Sequence, residues 1–119
     1  MPKITHFEIA TNEPEMSKRF YEEVFGWKIK RWEGPADYWL IDTGQSDSGS
    51  KVTGGIFKPI NDVKGMVVSI QVDSIEDYRK KIEDAGGKSL TDIMHVENVG
   101  YVMYCRDTTG NVFGITEFK

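Results

Sequence analysis

A single cysteine, Cys105, stands among the 119 residues, so no disulfide can form within the chain and a cysteine-rich metal site is excluded. Long apolar runs are missing as well. No stretch approaches the roughly 18 consecutive apolar residues of a membrane span. The start, Met1-Pro2-Lys3-Ile4-Thr5-His6, turns polar before the apolar segment of a secretion signal develops. The expected setting is therefore the cytoplasm, with no membrane partner. Positive charge is not in excess either. The 15 Lys and Arg face 19 Asp and Glu, and a net charge of −4 gives no electrostatic reason to bind nucleic acid. The densest basic run, Arg79-Lys80-Lys81, lies beside Glu76, Asp77, Glu83 and Asp84 and reads as the solvated face of a helix.

What is present suits one core. Hydrophobic residues make up 39% of the chain, with three Trp, five Tyr and six Phe, which argues against wholesale disorder. The length fits a single domain, residues 1–119, and is too short for two domains with cores of their own.

That domain reads as two similar halves, about 1–60 and 61–119. Ile4 to Ala10 alternates like a strand, with Phe7 and Ile9 on one face and His6 and Glu8 on the other. Asn12 then offers a helix cap, Glu15 completes a capping box, and Pro14 fits the first turn. Met16, Phe20 and Val24 recur at intervals of four and predict an apolar stripe packed on the first strand; Gly26 is the stop. The grammar returns with Met66 to Val72 as a strand, Asp73 as cap, Glu76 as its partner, and Gly86-Gly87 as the stop. A constant offset of 61 residues relates His6 to Val67, Asn12 to Asp73 and Gly26 to Gly87. Three strands are expected after each helix: Trp27–Trp32, Tyr38–Asp42 and Val52–Phe57, then Lys88–Val96, Tyr101–Cys105 and Asn111–Thr116. Gln45–Ser50 reads as a polar loop and Pro59–Gly65 as the joint between halves. The predicted class is α+β, two βαβββ modules whose helices cover one side and whose other faces line a shared groove.

Three stretches have a further meaning: His6-Phe7-Glu8-Ile9, Phe20-Tyr21-Glu22-Glu23-Val24-Phe25-Gly26-Trp27, and Gly54-Gly55-Ile56-Phe57-Lys58-Pro59. With the closing Asp107-Thr108-Thr109-Gly110-Asn111-Val112-Phe113-Gly114-Ile115, they resemble the glyoxalase, bleomycin-resistance protein and extradiol-dioxygenase superfamily, also called vicinal oxygen chelate proteins. Within it the chain is similar to small bacterial proteins described as lactoylglutathione-lyase-related. The resemblance implies the fold of glyoxalase, bleomycin-resistance protein and dihydroxybiphenyl dioxygenase. It also implies a small-molecule ligand, a homodimer, and either turnover or metal-free drug binding.

Metal-dependent members draw one ligand from the first and fourth strand of each half. The resemblance maps those positions onto His6, Gly55, Val67 and Gly114, of which only His6 offers a donor. No cofactor is therefore expected, and His6 is the one retained metal candidate. A divalent ion held by His6, Glu8 and water is the minor alternative. His6 and Glu8 are the candidate catalytic pair, His6 moving a proton and Glu8 orienting it, in a lyase or isomerase acting on a small oxygenated metabolite. The alternative is a metal-free protein that binds a small molecule or antibiotic without turnover. Tyr38, Tyr101 and His95 are candidate ligand contacts, with Tyr101 preferred to Tyr104. Glu97 repeats the spacing of Glu8 beside His95, Glu117 is read as a terminal surface or interface residue, and Cys105 as a small core residue.

Overall fold

The computed structural model describes residues 1–44, 52–61 and 63–118. The loop expected at Gln45–Ser50 lies outside the described residues, as does Asp62 in the joint between halves. The chain runs β1 (Lys3–Ala10), α1 (Pro14–Phe25), β2 (Lys28–Arg31), β3 (Tyr38–Asp42), β4 (Thr53–Phe57), β5 (Gly65–Gln71), α2 (Ile75–Asp84), β6 (Lys88–Ser89), β7 (Met94–Val96), β8 (Gly100–Arg106) and β9 (Val112–Phe118).

The strands form one sheet, in the order β2-β3-β4-β1-β5-β9-β8-β6, with β7 pairing β8 off that path. The two first strands meet at its centre. β1 and β5 run antiparallel with Phe7 opposite Val68, Glu8 opposite Val67 and His6 opposite Ser69. Shifting each half by the 61-residue offset turns the Phe7–Val68 pair onto itself, so the internal two-fold passes there. The parallel neighbours obey the same symmetry: β4 places Gly55 beside Glu8, and β9 places Gly114 beside Ser69.

Alternation sorts the side chains onto two faces. On the helix side, Ile9, Ile29, Trp39, Ile41 and Ile56 pack with Phe7, Tyr21 and Trp27 in the first half. Val72, Ile75, Met103, Cys105 and Ile115 pack with Tyr78, Ile82 and Tyr101 in the second. The other face has its own cluster, Ala10, Phe57, Val63, Val67 and Tyr104, with Tyr38 against it. Tyr38, Phe57 and Tyr104 stack in series, with ring centroids 6.2 and 6.0 Å apart. The sheet is curled about this stack. In a flat sheet β8 would lie about 14 Å from β1, yet the Tyr104 hydroxyl bonds to Glu8.

The glycine pair of β4 follows from this crowding. A Cβ on Gly54 would meet the Phe7 ring at 2.4 Å on the helix side; one on Gly55 would meet the Tyr38 hydroxyl at 1.8 Å on the other. Either face of this central strand is filled by a neighbour's ring, so β4 has no room for side chains at these two positions.

Four local expectations are corrected. α1 begins at Pro14 with Glu13 at the cap and no side-chain cap bond, so Asn12 is not the cap. In α2 the cap is Ser74, which accepts the Asp77 N–H, and Asp73 lies outside the helix. Ser74 wins because its extended backbone points the hydroxyl at the third helical N–H. The strand expected over Lys88–Val96 is split, because the Leu90 N–H bonds to the Tyr104 carbonyl and the Thr91 hydroxyl takes the Tyr104 N–H, ending regular pairing until Met94. Finally, the stripe Met16, Phe20 and Val24 does not pack on β1: all three are exposed, and α1 turns Pro14 and Tyr21 inward instead.

Candidate functional site

Glu8 is the buried charge around which the inner face is arranged. It is 8% exposed, at the middle of a central strand. Tyr38 donates to its Oε2 at 2.7 Å, and Tyr104 donates to its Oε1. Both carboxylate oxygens thus take a hydroxyl proton, the pairing a buried anion needs. The donors come from opposite halves of the chain, which the curl of the sheet brings together.

His6 continues the series toward solvent. Its Nε2 lies 2.8 Å from the Tyr38 hydroxyl, 3.9 Å from Glu8 Oε2, and its Nδ1 lies 2.6 Å from Thr53 Oγ1. Tyr38 has one proton and gives it to Glu8, so Nε2 must be the donor toward Tyr38. Nδ1 is then an unprotonated acceptor from the Thr53 hydroxyl, on the exposed side of the ring. The order is Thr53 to His6 to Tyr38 to Glu8, with Tyr104 closing the far end.

The electrostatics agree with this proton placement. Burial lowers the His6 pKa below 6.5, and the Glu8 charge opposes that only in part. Burial, then the Glu8 charge and the hydrogen bond to it, push the Tyr38 and Tyr104 hydroxyls well above 10.0. At neutral pH the ring is uncharged and both hydroxyls keep their protons. Opposite Glu8 in the internal symmetry stands Ser69, whose hydroxyl is hydrogen-bonded to Thr116 at 2.8 Å. The corresponding position of the second half therefore carries a neutral hydroxyl with a different partner.

Of the five residues singled out from sequence, His6, Glu8 and Tyr38 are brought together. Tyr101 and His95 are not. Tyr101 packs with the α2 cluster on the opposite face, and exposed His95 lies against its ring at 5.2 Å. Tyr104 takes the place expected of Tyr101. Strand parity had separated the two tyrosines correctly, but only the register of β8 on β9, with Tyr104 opposite Gly114, says which set faces inward. Thr53 was missed, because its place beside His6 comes from the register of β4 on β1, which local sequence pattern does not carry. Glu117 is half-buried, and its carboxylate accepts the Ile75 N–H at the start of α2. Cys105 is buried among apolar side chains, which pushes its thiol up to about 11.

Three of the four mapped metal positions are Gly55, Val67 and Gly114, and none has a donor side chain. The Tyr38 hydroxyl fills the space in which a side chain on Gly55 would start. His6 and Glu8 have their polar atoms engaged. Among the described residues no three His, Cys, Asp or Glu side chains converge. This donor set does not fit a central divalent ion. The Asp107 loop has a local task instead. Its carboxylate accepts the N–H groups of Thr109 and Asn111 and the Asn111 side chain, which holds its pKa down to about 2 and closes the turn into β9.

The Glyoxalase/Bleomycin resistance protein/Dioxygenase superfamily matches residues 3–115. The chain belongs to this superfamily. No curated protein matches it. Hypothetical protein BH1468 from Bacillus halodurans C-125 superposes with a TM-score of 0.72 at 15% identity, covering 99% of this chain and 95% of that one. A variant of Streptomyces coelicolor methylmalonyl-CoA epimerase in complex with 2-nitronate-propionyl-CoA gives 0.70 at 15%, with 98% and 94% covered. Methylmalonyl-CoA epimerase from Mycobacterium tuberculosis gives 0.68 at 12%, with 98% and 87% covered. At such identities the likeness is one of fold. No helix of the described residues is long and apolar enough to cross a membrane.

Proposed function

We propose that this superfamily member is a metal-independent proton-transfer enzyme, an isomerase or lyase acting on a small oxygenated molecule, with His6 as its base. The observation behind the reading is the hydrogen-bonded series Thr53–His6–Tyr38–Glu8, which leaves an unprotonated ring nitrogen on the exposed side. A substrate oxygen displaces the Thr53 hydroxyl from Nδ1 and accepts its proton in a hydrogen bond. Nδ1 then takes a proton from the carbon beside the substrate carbonyl, and the C–H pair moves onto the oxygen as an enolate. The imidazolium that forms keeps its Nε2 proton on Tyr38 and is stabilised by Glu8, 3.9 Å away. Delivery of that proton from Nδ1 to the neighbouring carbon on the same face completes an isomerisation; loss of a leaving group from the enolate completes a lyase reaction.

The test is hydrogen–deuterium exchange by NMR in D2O over a panel of small ketones, hydroxyketones and acyl thioesters, with EDTA present throughout. Exchange that is catalysed by the wild type and lost in His6→Ala is expected, with Thr53→Ala less affected. No catalysed exchange in the panel, or equal exchange by His6→Ala, refutes the proposal. The second reading, binding without turnover, is favoured by one observation: Tyr38, Phe57 and Tyr104 fill the inner face and occupy both Glu8 oxygens. It predicts a thermal shift from a panel compound with no exchange of its protons.

A further inference from the structure

The first and fourth strands of the two halves are not joined alike. In the first half β1 and β4 are paired from His6 opposite Thr53 onward. Offsets of 61 residues on the first strand and 59 on the fourth carry Glu8 beside Gly55 onto Ser69 beside Gly114. The same offsets carry His6 and Thr53 onto Val67 and Val112. In the second half, however, pairing begins only at Ser69 and Gly114. β5 and β9 therefore part where the first half is still closed, and Val67 and Val112 stand on either side of the gap.

An open cavity of about 660 Å³ occupies this gap. That size falls within the ~300–1,000 Å³ of small-molecule sites. Met66, Val67, Val68 and Val112 give it apolar walls; Lys64 and Arg106 give it positive charge, with no carboxylate among its described lining residues. In a chain with 19 acidic and 15 basic residues that is a local reversal of sign. Lys64 makes no ion pair or side-chain hydrogen bond with any described residue. The Arg106 guanidinium donates to the Gly110 carbonyl at 3.0 Å, which fixes it over the turn that borders the cavity. Asp107, next to Arg106 in sequence, is engaged by the N–H groups of Thr109 and Asn111. The backbone adds donors. The Val72 N–H bonds to the Thr116 carbonyl, so the even-numbered residues of β5 turn their N–H groups toward β9. Those of Met66 and Val68 point into the gap, ahead of the first β5–β9 pair.

We propose that the gap between β5 and β9 is a binding site for a small organic carboxylate, its anionic end between Lys64 and Arg106 and its apolar body against Met66, Val67, Val68 and Val112. The two carboxylate oxygens match one ammonium and one guanidinium, and bonds of that kind are charge-assisted. The N–H groups of Met66 and Val68 supply further donors beside them. The valine and methionine walls call for a body of several carbons, because a bare inorganic anion would leave them in water. By the internal two-fold this is the counterpart of the His6–Thr53 position, with valines in place of the base and its hydroxyl partner. It therefore offers binding without proton transfer. The inference does not depend on what His6 does.

Octanoate is the probe, titrated into the nitrogen-15-labelled protein and followed by NMR. It is expected to shift the amide signals of Met66, Val68 and Val112 saturably, in the wild type and equally in His6→Ala. Lys64→Met, at an exposed position that leaves the fold intact, should raise Kd at least about threefold. Val68→Glu brings a carboxylate to the gap and should raise it about tenfold or more. Lys88→Met, on the edge strand β6, should leave it unchanged. Octanol keeps the apolar body without the charge, whereas acetate and inorganic phosphate keep charge without the body; each should bind at least about tenfold more weakly than octanoate. No saturable shift at those three amides overturns the proposal. So does a response centred on His6 and Thr53, an affinity for octanol, acetate or phosphate equal to that for octanoate, or a Lys64→Met protein that binds as the wild type does.

Discussion

Tyr104→Phe removes one oxygen and nothing else from the inner face. The ring still stacks on Phe57, but Oε1 of Glu8 loses its donor in a position 8% exposed, where water does not readily replace it. A hydrogen bond to a charged group contributes about 1.5–3 kcal/mol. For a chain of this length that corresponds to a fall in Tm of roughly 6–12 °C. Urea unfolding at neutral pH measures the loss directly, and a double-mutant cycle assigns it. If the hydroxyl acts through the carboxylate, Tyr104→Phe should cost at least ~1 kcal/mol less in the Glu8→Gln background than in the wild type. A loss below about 0.5 kcal/mol, or additive effects of the two substitutions, would refute the view that Glu8 is held by its tyrosines.

Three further outcomes follow from the same geometry. Tyr38 and Tyr104 have pKa values raised above 10.0 in the folded chain, so above pH 10 the unfolded chain loses protons that the folded chain keeps. Their stabilisation is full below pH 10 and declines as pH rises, at up to about 2.7 kcal/mol per pH unit for the pair; urea titrations should show about half that tyrosine contribution in Tyr104→Phe. His6 has the opposite sign. Its folded pKa lies below 6.5, so its contribution is full above pH 6.5 and is lost as pH falls through the folded value; His6→Gln should flatten the acid side of the stability profile. Gly55→Ala forces the Tyr38 hydroxyl out of place and should cost about 2 kcal/mol or more, whereas Gly114→Ala meets Tyr104 at an ordinary 3.4 Å and should cost well under half as much by thermal melting.

The alternating and helical patterns, read with the repeat, contain most of this fold. Strand alternation in Ile4–Ala10 already separates His6 and Glu8 from Phe7 and Ile9, and the offset of 61 already relates Gly55 to Gly114 to within two residues. Long-range register is what local pattern lacks. Nothing near Tyr104 in sequence says that its hydroxyl meets Glu8, because that contact depends on the curl across three neighbouring strands. The same limit explains the stripe on α1. Periodicity identifies Met16, Phe20 and Val24 as one face but does not say whether that face is turned to the chain's own sheet. The absence of donors at Gly55 and Gly114 was legible, whereas the ring that fills the space over Gly55 was not.

The central claim is that His6 presents an unprotonated Nδ1 at the end of a proton relay that has no metal in it. Nitrogen-15 NMR of the histidine rings across pH, with EDTA and then with added zinc, reads that state directly. The account predicts a neutral His6 ring with the proton on Nε2, persisting below pH 6.5 and unchanged by zinc. A proton on Nδ1, an imidazolium at neutral pH, or a stoichiometric zinc-dependent shift of the His6 signals would contradict it.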